Sequence, residues 1–214
     1  MNTVTDRRRG YRQGARAEAA EVTGQRILAA FRQAVQTQWV EDITLDQVAR
    51  EAGVTVQTVI RRFGGKDGLL EAVAAVIGGE IENIRGAPRG DLASAVANLC
   101  ADYEQSGEMI LRLLAQEPRY PALKAFLDYG RAGHRSWVAA VAEPWLERLS
   151  EQGRTAALDA LTAAMDVYVW KLARQDWGRS PKEARELILR LASGALATFF
   201  PSNPIHAPAQ DAPR

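Results

Sequence analysis

Cysteine and histidine are scarce in this 214-residue chain: there is one cysteine, Cys100, and two histidines, His134 and His206. A single cysteine excludes an internal disulfide. With so few soft or imidazole ligands there is no Cys/His cluster at metal-binding spacing, and no metal or other cofactor is expected. The sequence contains no GxSxG, HExxH or phosphate-cradling GxxxxGK[ST] pattern, and no paired acidic motif stands out. An enzyme is therefore not expected. No apolar run approaches the roughly 18–20 residues of a membrane span. Arg7, Arg8 and Arg9 lead into no apolar stretch, so no secretory signal is read and cytoplasmic residence is the expectation.

Charge of one sign is also lacking, since the formal net charge is +1. Its distribution is uneven, with residues 1–70 at +3 and the remainder at −2. Arg7, Arg8, Arg9, Arg12 and Arg16 lie near the start with Asp6 as the only acid among them. Residues 1–22 read as a basic flexible arm, either a solvated tail or an added attraction for phosphate.

Alternation of apolar and polar residues is absent over any strand-like length, whereas helical periodicity recurs. Ile27, Leu28, Phe31 and Val35 predict a helix over about 23–38. Leu69, Leu70, Val73, Val76 and Ile77 mark another. Leu92, Val96, Leu99 and Tyr103 follow Asp91, a suitable N-cap, and a short apolar segment runs from Met109 to Leu114. A longer stripe extends from Leu123 to Leu149, with Pro144 expected to kink or break it. Leu158, Leu161, Met165, Tyr168 and Leu172 form a heptad-like seam, expected to stop at Gly178. Ser180-Pro181-Lys182-Glu183 is a strong helix start, carrying an N-cap, a proline in the first turn and a capping-box glutamate. Residues 201–214 hold four prolines and read as a disordered tail. The fold class is all-α, with about nine helices.

Residues 43–70, ITLDQVAREAGVTVQTVIRRFGGKDGLL, carry the functional signal. Thr44 and Gln47 have capping-box spacing, and Ile43 can staple onto Val48. That helix lasts barely two turns before Ala52-Gly53-Val54, where Gly53 suits a left-handed turn. Thr55 caps a second short helix. Two capped helices of about eight residues joined by such a turn are what a helix-turn-helix requires. Val54, Val59 and Phe63 would pack inward. Val56, Gln57, Thr58, Arg61 and Arg62 would face outward, where Gln and Arg can form bidentate contacts to base edges and Val56 can touch a thymine methyl. The hydroxyls of Thr44 and Thr55, at helix starts, suit phosphate oxygens. Lys66 stands beside a helix start, where a cation opposes the helix dipole unless an anion docks there.

The run RILAAF over 26–31, TLxxVAxxAGV over 44–54, TVxxxF over 58–63, Lys66 and Leu69-Leu70 resembles the tetracycline-repressor (TetR) family. The resemblance implies a three-helix DNA-binding domain, here residues 23–66, joined to a larger helical domain for effector binding and dimerisation, here 67–200. It implies a homodimer closed by the last two helices, with Leu158, Leu161, Met165, Tyr168, Leu172, Leu191, Gly194 and Ala195 as its face, and double-stranded operator DNA as partner. By motif position the resemblance implies that Thr44, Thr55, Arg62 and Lys66 hold phosphates while Val56, Gln57, Thr58 and Arg61 approach bases. Two departures stand out: Ile60 replaces a usual tyrosine, and Arg62 stands where histidine is common. An effector pocket would draw on Tyr103, Met109, Phe126, His134, Trp137 and Trp170, and its apolar lining suggests a hydrophobic or aromatic compound. The same aromatics at helical spacing would serve equally as core. The expected function is a sequence-specific regulator, a repressor released from a palindromic operator. The alternative is a helical protein-binding scaffold with weak or non-specific DNA binding, which Ile60 keeps open.

Overall fold

The computed structural model describes the backbone of residues 3–73, 75, 85–86 and 89–200, and side chains from residue 18 onward within those ranges. Every regular element among the described residues is helical. The helices are α1 (Thr3–Thr37), α2 (Leu45–Ala52), α3 (Val56–Phe63), α4 (described over 66–73), α5 (Leu92–Gln116), α6 (Ala122–Leu146), α7 (Glu151–Ala164), α8 (Val167–Lys171) and α9 (Pro181–Ala197). A π-helical turn, Leu172–Asp176, follows α8. None of the helices is long and apolar enough to cross a membrane, among the described residues.

The chain divides into two compact units. The first comprises Met1–Val76 with Ala115–Phe126, so it takes in residues beyond the expected 23–66. Its buried side chains include Ile27, Phe31 and Val35 of α1, Ile43, Val48 and Ala49 around α2, Val59 of α3, and Leu69, Leu70 and Val73 of α4. These are the apolar stripes read from the sequence. The connection between α5 and α6 is tied into this unit by two polar contacts. The Val40 amide donates to Gln116 Oε1 at 2.7 Å, and the Tyr120 hydroxyl donates to Asp67 Oδ1 at 2.8 Å. Burial and the Asp67 carboxylate together push the Tyr120 pKa up to about 12.

α1 begins at Thr3, twenty residues before the expected start near 23, so residues 3–22, expected as a flexible arm, are helical; the segment has no proline, and Gly10, Gly14 and Gly24 weaken the helix without ending it. Residues 201–214, expected as a tail, lie outside the described residues.

The second unit comprises Ile77–Leu114 and Leu127–Arg214. Leu92, Val96, Leu99 and Tyr103 of α5 meet Val138 and Val141 of α6, Leu161 of α7, Trp170 of α8, and Ile188, Ala192 and Leu196 of α9 in one apolar core. α5 is continuous, so the two apolar segments expected on either side of residues 104–108 are one helix of 25 residues. Pro144 lies in the last turn of α6 and the helix ends two residues later, at Leu146, so the expected break takes the form of a stop. The Ser180 capping box is complete: Ser180 N–H donates to Glu183 Oε2 at 2.9 Å, and Glu183 N–H to Ser180 Oγ at 3.3 Å.

The heptad-like seam is not carried by one helix. α7 closes at Met165, and the Asp166 carboxylate accepts the Tyr168 amide at 2.9 Å, which starts α8 afresh. Leu161 and Met165 are fully buried within the single chain, Leu158 and Ala195 are partly buried, and Tyr168, Leu172, Leu191 and Gly194 are exposed. Leu161→Ala should therefore cost about 2–5 kcal/mol of unfolding free energy by leaving a cavity. Urea denaturation measures it, and a loss below about 1 kcal/mol would contradict the packing described.

Candidate nucleic-acid interface and the buried polar cluster

α2 and α3 are each eight residues long, too short to persist alone. Their ends are closed by local hydrogen bonds. Thr44 Oγ1 accepts the Gln47 amide at 3.1 Å, and Thr55 Oγ1 accepts the Thr58 amide at 3.3 Å. Gly53, with φ 64° and ψ 41°, adopts the left-handed conformation that a side chain would resist. It lets the Val54 amide return to the Ala49 carbonyl at 2.9 Å, closing α2 and turning the chain into α3. The capping box at Thr44 is half-formed, because Gln47 Nε2 is directed to Glu51 Oε1 at 3.5 Å, one turn on, instead of back to the cap.

Val59 is the fully buried residue of α3, and it fixes which side of the helix faces out. Gln57 and Arg61 are exposed, while Val56 and Thr58 are partly covered. The Thr58 hydroxyl shares a hydrogen bond with Thr55 Oγ1 at 3.0 Å. Of the expected base-facing residues, Gln57 and Arg61 are thus exposed together on the side of α3 away from Val59, while Val56 and Thr58 lie on opposite flanks, and Thr44 and Thr55 are exposed at the two helix starts. Ile60 is 40% exposed on the same helix.

Two expected phosphate ligands already have partners. The Lys66 ammonium donates to the Val40 carbonyl at 2.8 Å and the Glu41 carbonyl at 3.1 Å. Those carbonyls account for a lysine at a helix start without any phosphate, which the sequence does not reveal because they are some 25 residues away. Partial burial lowers the Lys66 pKa, against Asp42, Asp67 and Glu41, which raise it. Among the described residues these carbonyls take two of the three ammonium N–H groups. Arg62 Nη2 pairs with Glu21 Oε2 of α1 at 3.0 Å.

In the second unit, four of the six expected effector residues come together: Tyr103, His134, Trp137 and Trp170. The Tyr103 and Trp170 ring centroids are 6.1 Å apart, and those of His134 and Trp137 are 6.0 Å apart. Phe126 belongs to the first unit, and Met109 lies partly buried on α5. The polar atoms of the aromatics are used internally. Tyr103 donates to the Met165 carbonyl at 3.1 Å, Trp137 Nε1 to the Arg85 carbonyl at 2.9 Å, and Trp170 Nε1 to Glu104 Oε1 at 2.8 Å.

Sequence reasoning misses the residue at the centre of this group. Arg85 is buried, with Nε and Nη2 each 2.6 Å from Asp102 Oδ2. Its guanidinium lies 5.1 Å from the Tyr103 ring centroid and 5.7 Å from that of Trp137. Arg85 Nη1 approaches His134 Nδ1 at 3.0 Å. Arginine can only donate, so Nδ1 accepts and the ring proton is on Nε2. Nε2 is buried with no partner in hydrogen-bond geometry among the described residues. Burial first, and the Arg85 cation second, lower the His134 pKa to about 4, opposed by the Thr162 carbonyl and Asp102. No group of three metal-ligating side chains occurs among the described residues.

Residues 27–73 match the family described as bacterial regulatory proteins, tetR family. Over 59 residues the chain is 49% identical to the HTH-type transcriptional regulator SrpR of Pseudomonas putida, covering 28% of each chain. It is 51% identical over 59 residues to the uncharacterized HTH-type transcriptional regulator TtgW, also of Pseudomonas putida, covering 28% of this chain and 43% of that one. The matched segment thus spans less than half the length of either relative. A crystal structure of a candidate transcriptional regulator from Pseudomonas aeruginosa PAO1 shares the fold, with a TM-score of 0.62 over 81% of this chain and 89% of that one, at 14% identity.

The buried imidazole gives stability a pH dependence with a definite sign. His134 titrates near 6.5 when unfolded and near 4 in the fold. Between those values the unfolded state binds more protons, so stability falls as pH drops from about 6.5 to about 4. His134→Gln keeps an acceptor for Arg85 and removes this titration. Urea melts at several pH values should show a shallower acid loss in the variant, and parallel curves would contradict the assignment.

Proposed function

Because residues 27–73 match the tetR family of bacterial regulatory proteins, we propose that the chain is a dimeric transcription regulator that reads a near-palindromic operator with α3. The observation that carries this reading is the outward face of α3. Gln57 and Arg61 stand exposed on a helix whose opposite side is anchored by the buried Val59. A helix presented in this way fits a major groove, where Gln pairs with adenine and Arg with guanine edges. Val56 and Thr58 approach from the partly covered flanks. Thr44 and Thr55 contribute hydroxyls and neighbouring amides to phosphates at the starts of α2 and α3. Lys66 supplies its remaining N–H to the same backbone, and Arg62 a guanidinium.

Dimerisation would use the exposed part of the expected face. Tyr168, 57% exposed, and Leu191, 43% exposed, are large apolar side chains on α8 and α9. Leu172 and Gly194 share that exposure, with Leu158 and Ala195 beside them, whereas Leu161 and Met165 support the face from within the chain. Closed two-fold dimers are the common oligomer, and two-fold symmetry implies a palindromic site. A hydrophobic or aromatic effector held near Tyr103, His134, Trp137 and Trp170 would release the operator. It would do so by favouring a spacing of the two reading helices that no longer fits successive major grooves.

Selection of bound duplexes from a random library at physiological salt tests this reading. The expected result is a near-palindrome, with Gln57→Ala changing base preference at one position in each half-site. Recovery of no motif, with binding that vanishes as salt rises, would overturn it and favour a helical scaffold in which Ile60 marks a lost contact.

A further inference from the structure

On the proposed DNA-facing surface, Arg62 is a cation already bound to an anion of its own chain. Nη2 lies 3.0 Å from Glu21 Oε2, on the neighbouring helix α1. The seat for this pair is built by Gly24, one turn further along α1. Gly24 is buried, and a β-carbon there would run into Nε and Nη2 of Arg62, so only glycine lets the guanidinium lie down on the α1 backbone. The same guanidinium lies 5.9 Å from the Phe63 ring centroid, which holds its inner side. Arg62 is therefore laid back along α1, with its fork directed to a carboxylate.

We infer that Glu21 is an intramolecular stand-in for a DNA phosphate, which occupies Arg62 in the free protein and must be displaced for Arg62 to engage the duplex backbone. The inference rests on the DNA-binding reading above and deepens it by naming a residue that tunes affinity. Carboxylate and phosphate offer arginine the same chemistry, anionic oxygens for a planar fork of N–H donors. Two effects of Glu21 act in the same direction. It competes for Arg62, and its own charge repels an approaching phosphate. Neither is large, because Glu21 is well exposed, with a side-chain exposure of 66%, and water and salt screen it. The pair is suited to adjusting binding by a small factor without preventing it.

The experiment measures the affinity of the full-length protein for the duplex recovered by selection, at several salt concentrations, for the wild type, Glu21→Gln, Arg62→Ala and the double variant. Glutamine preserves helix propensity and length while removing the charge, and matching thermal melts establish that the fold is retained. Glu21→Gln is expected to bind about two- to fivefold tighter at low salt, the range corresponding to an exposed ion pair. Its dependence of log K on log salt should be steeper by up to ~0.9, one additional phosphate neutralised. In the Arg62→Ala background the same substitution should lose more than half of its gain. Equal or weaker binding by Glu21→Gln, or a gain undiminished without Arg62, overturns the inference while leaving DNA binding in place. If the wild type binds no duplex at all, the DNA-binding reading itself falls, and the inference with it.

Discussion

The burial of Val59 is the constraint from which the proposed reading surface follows. α3 has eight residues and too little internal hydrogen bonding to hold itself together. What fixes it is one fully buried side chain, Val59, together with packing against α2 and a cap at each end. Anchoring at 59 decides the rest by helical geometry. Gln57 and Arg61, two positions to either side, are turned away from the core and exposed. The left-handed Gly53 sets where α3 starts, and so where that face lies with respect to α2. The surface left over for recognition is the complement of packing.

A different physical problem is solved in the second unit. A buried guanidinium is costly unless its charge and its donors are met. Asp102 supplies the charge, His134 the acceptor, and the Tyr103 and Trp137 rings the faces. The aromatic residues that the sequence offers as an effector lining are thus also the housing of an ion pair. Among the described residues, His134 Nε2 is the buried side-chain atom left without a partner in hydrogen-bond geometry.

How much is legible in the sequence depends on the range of the interaction responsible. Caps at Thr44, Thr55 and Ser180 are readable because the partner is an amide three residues away. The turn at Gly53 and the inward set around Val59 are readable for the same reason. Continuity of α5 through Gly107 is not. A β-carbon there would meet the Trp170 ring at 2.6–2.9 Å, so the glycine that weakens the local helix signal is the place where the Trp170 ring lies on α5. The seam from Leu158 to Leu172 has the right spacing but not the continuity, since Asp166 restarts the helix within it. Arg85 gives no signal at all, because a charged residue in a Gly- and Pro-containing stretch reads as surface. Lys66 stands out by its position, yet the Val40 and Glu41 carbonyls that hold it are remote in sequence.

Whether DNA binds at the outward face of α3, with the starts of α2 and α3, is tested most directly by amide hydrogen exchange with and without a bound duplex. Exchange reports which backbone groups become shielded or stiffened without presupposing a contact. Added protection concentrated at the starts of α2 and α3 and along α3 is the expected result. Protection confined to α7–α9, with α3 unchanged, would contradict it.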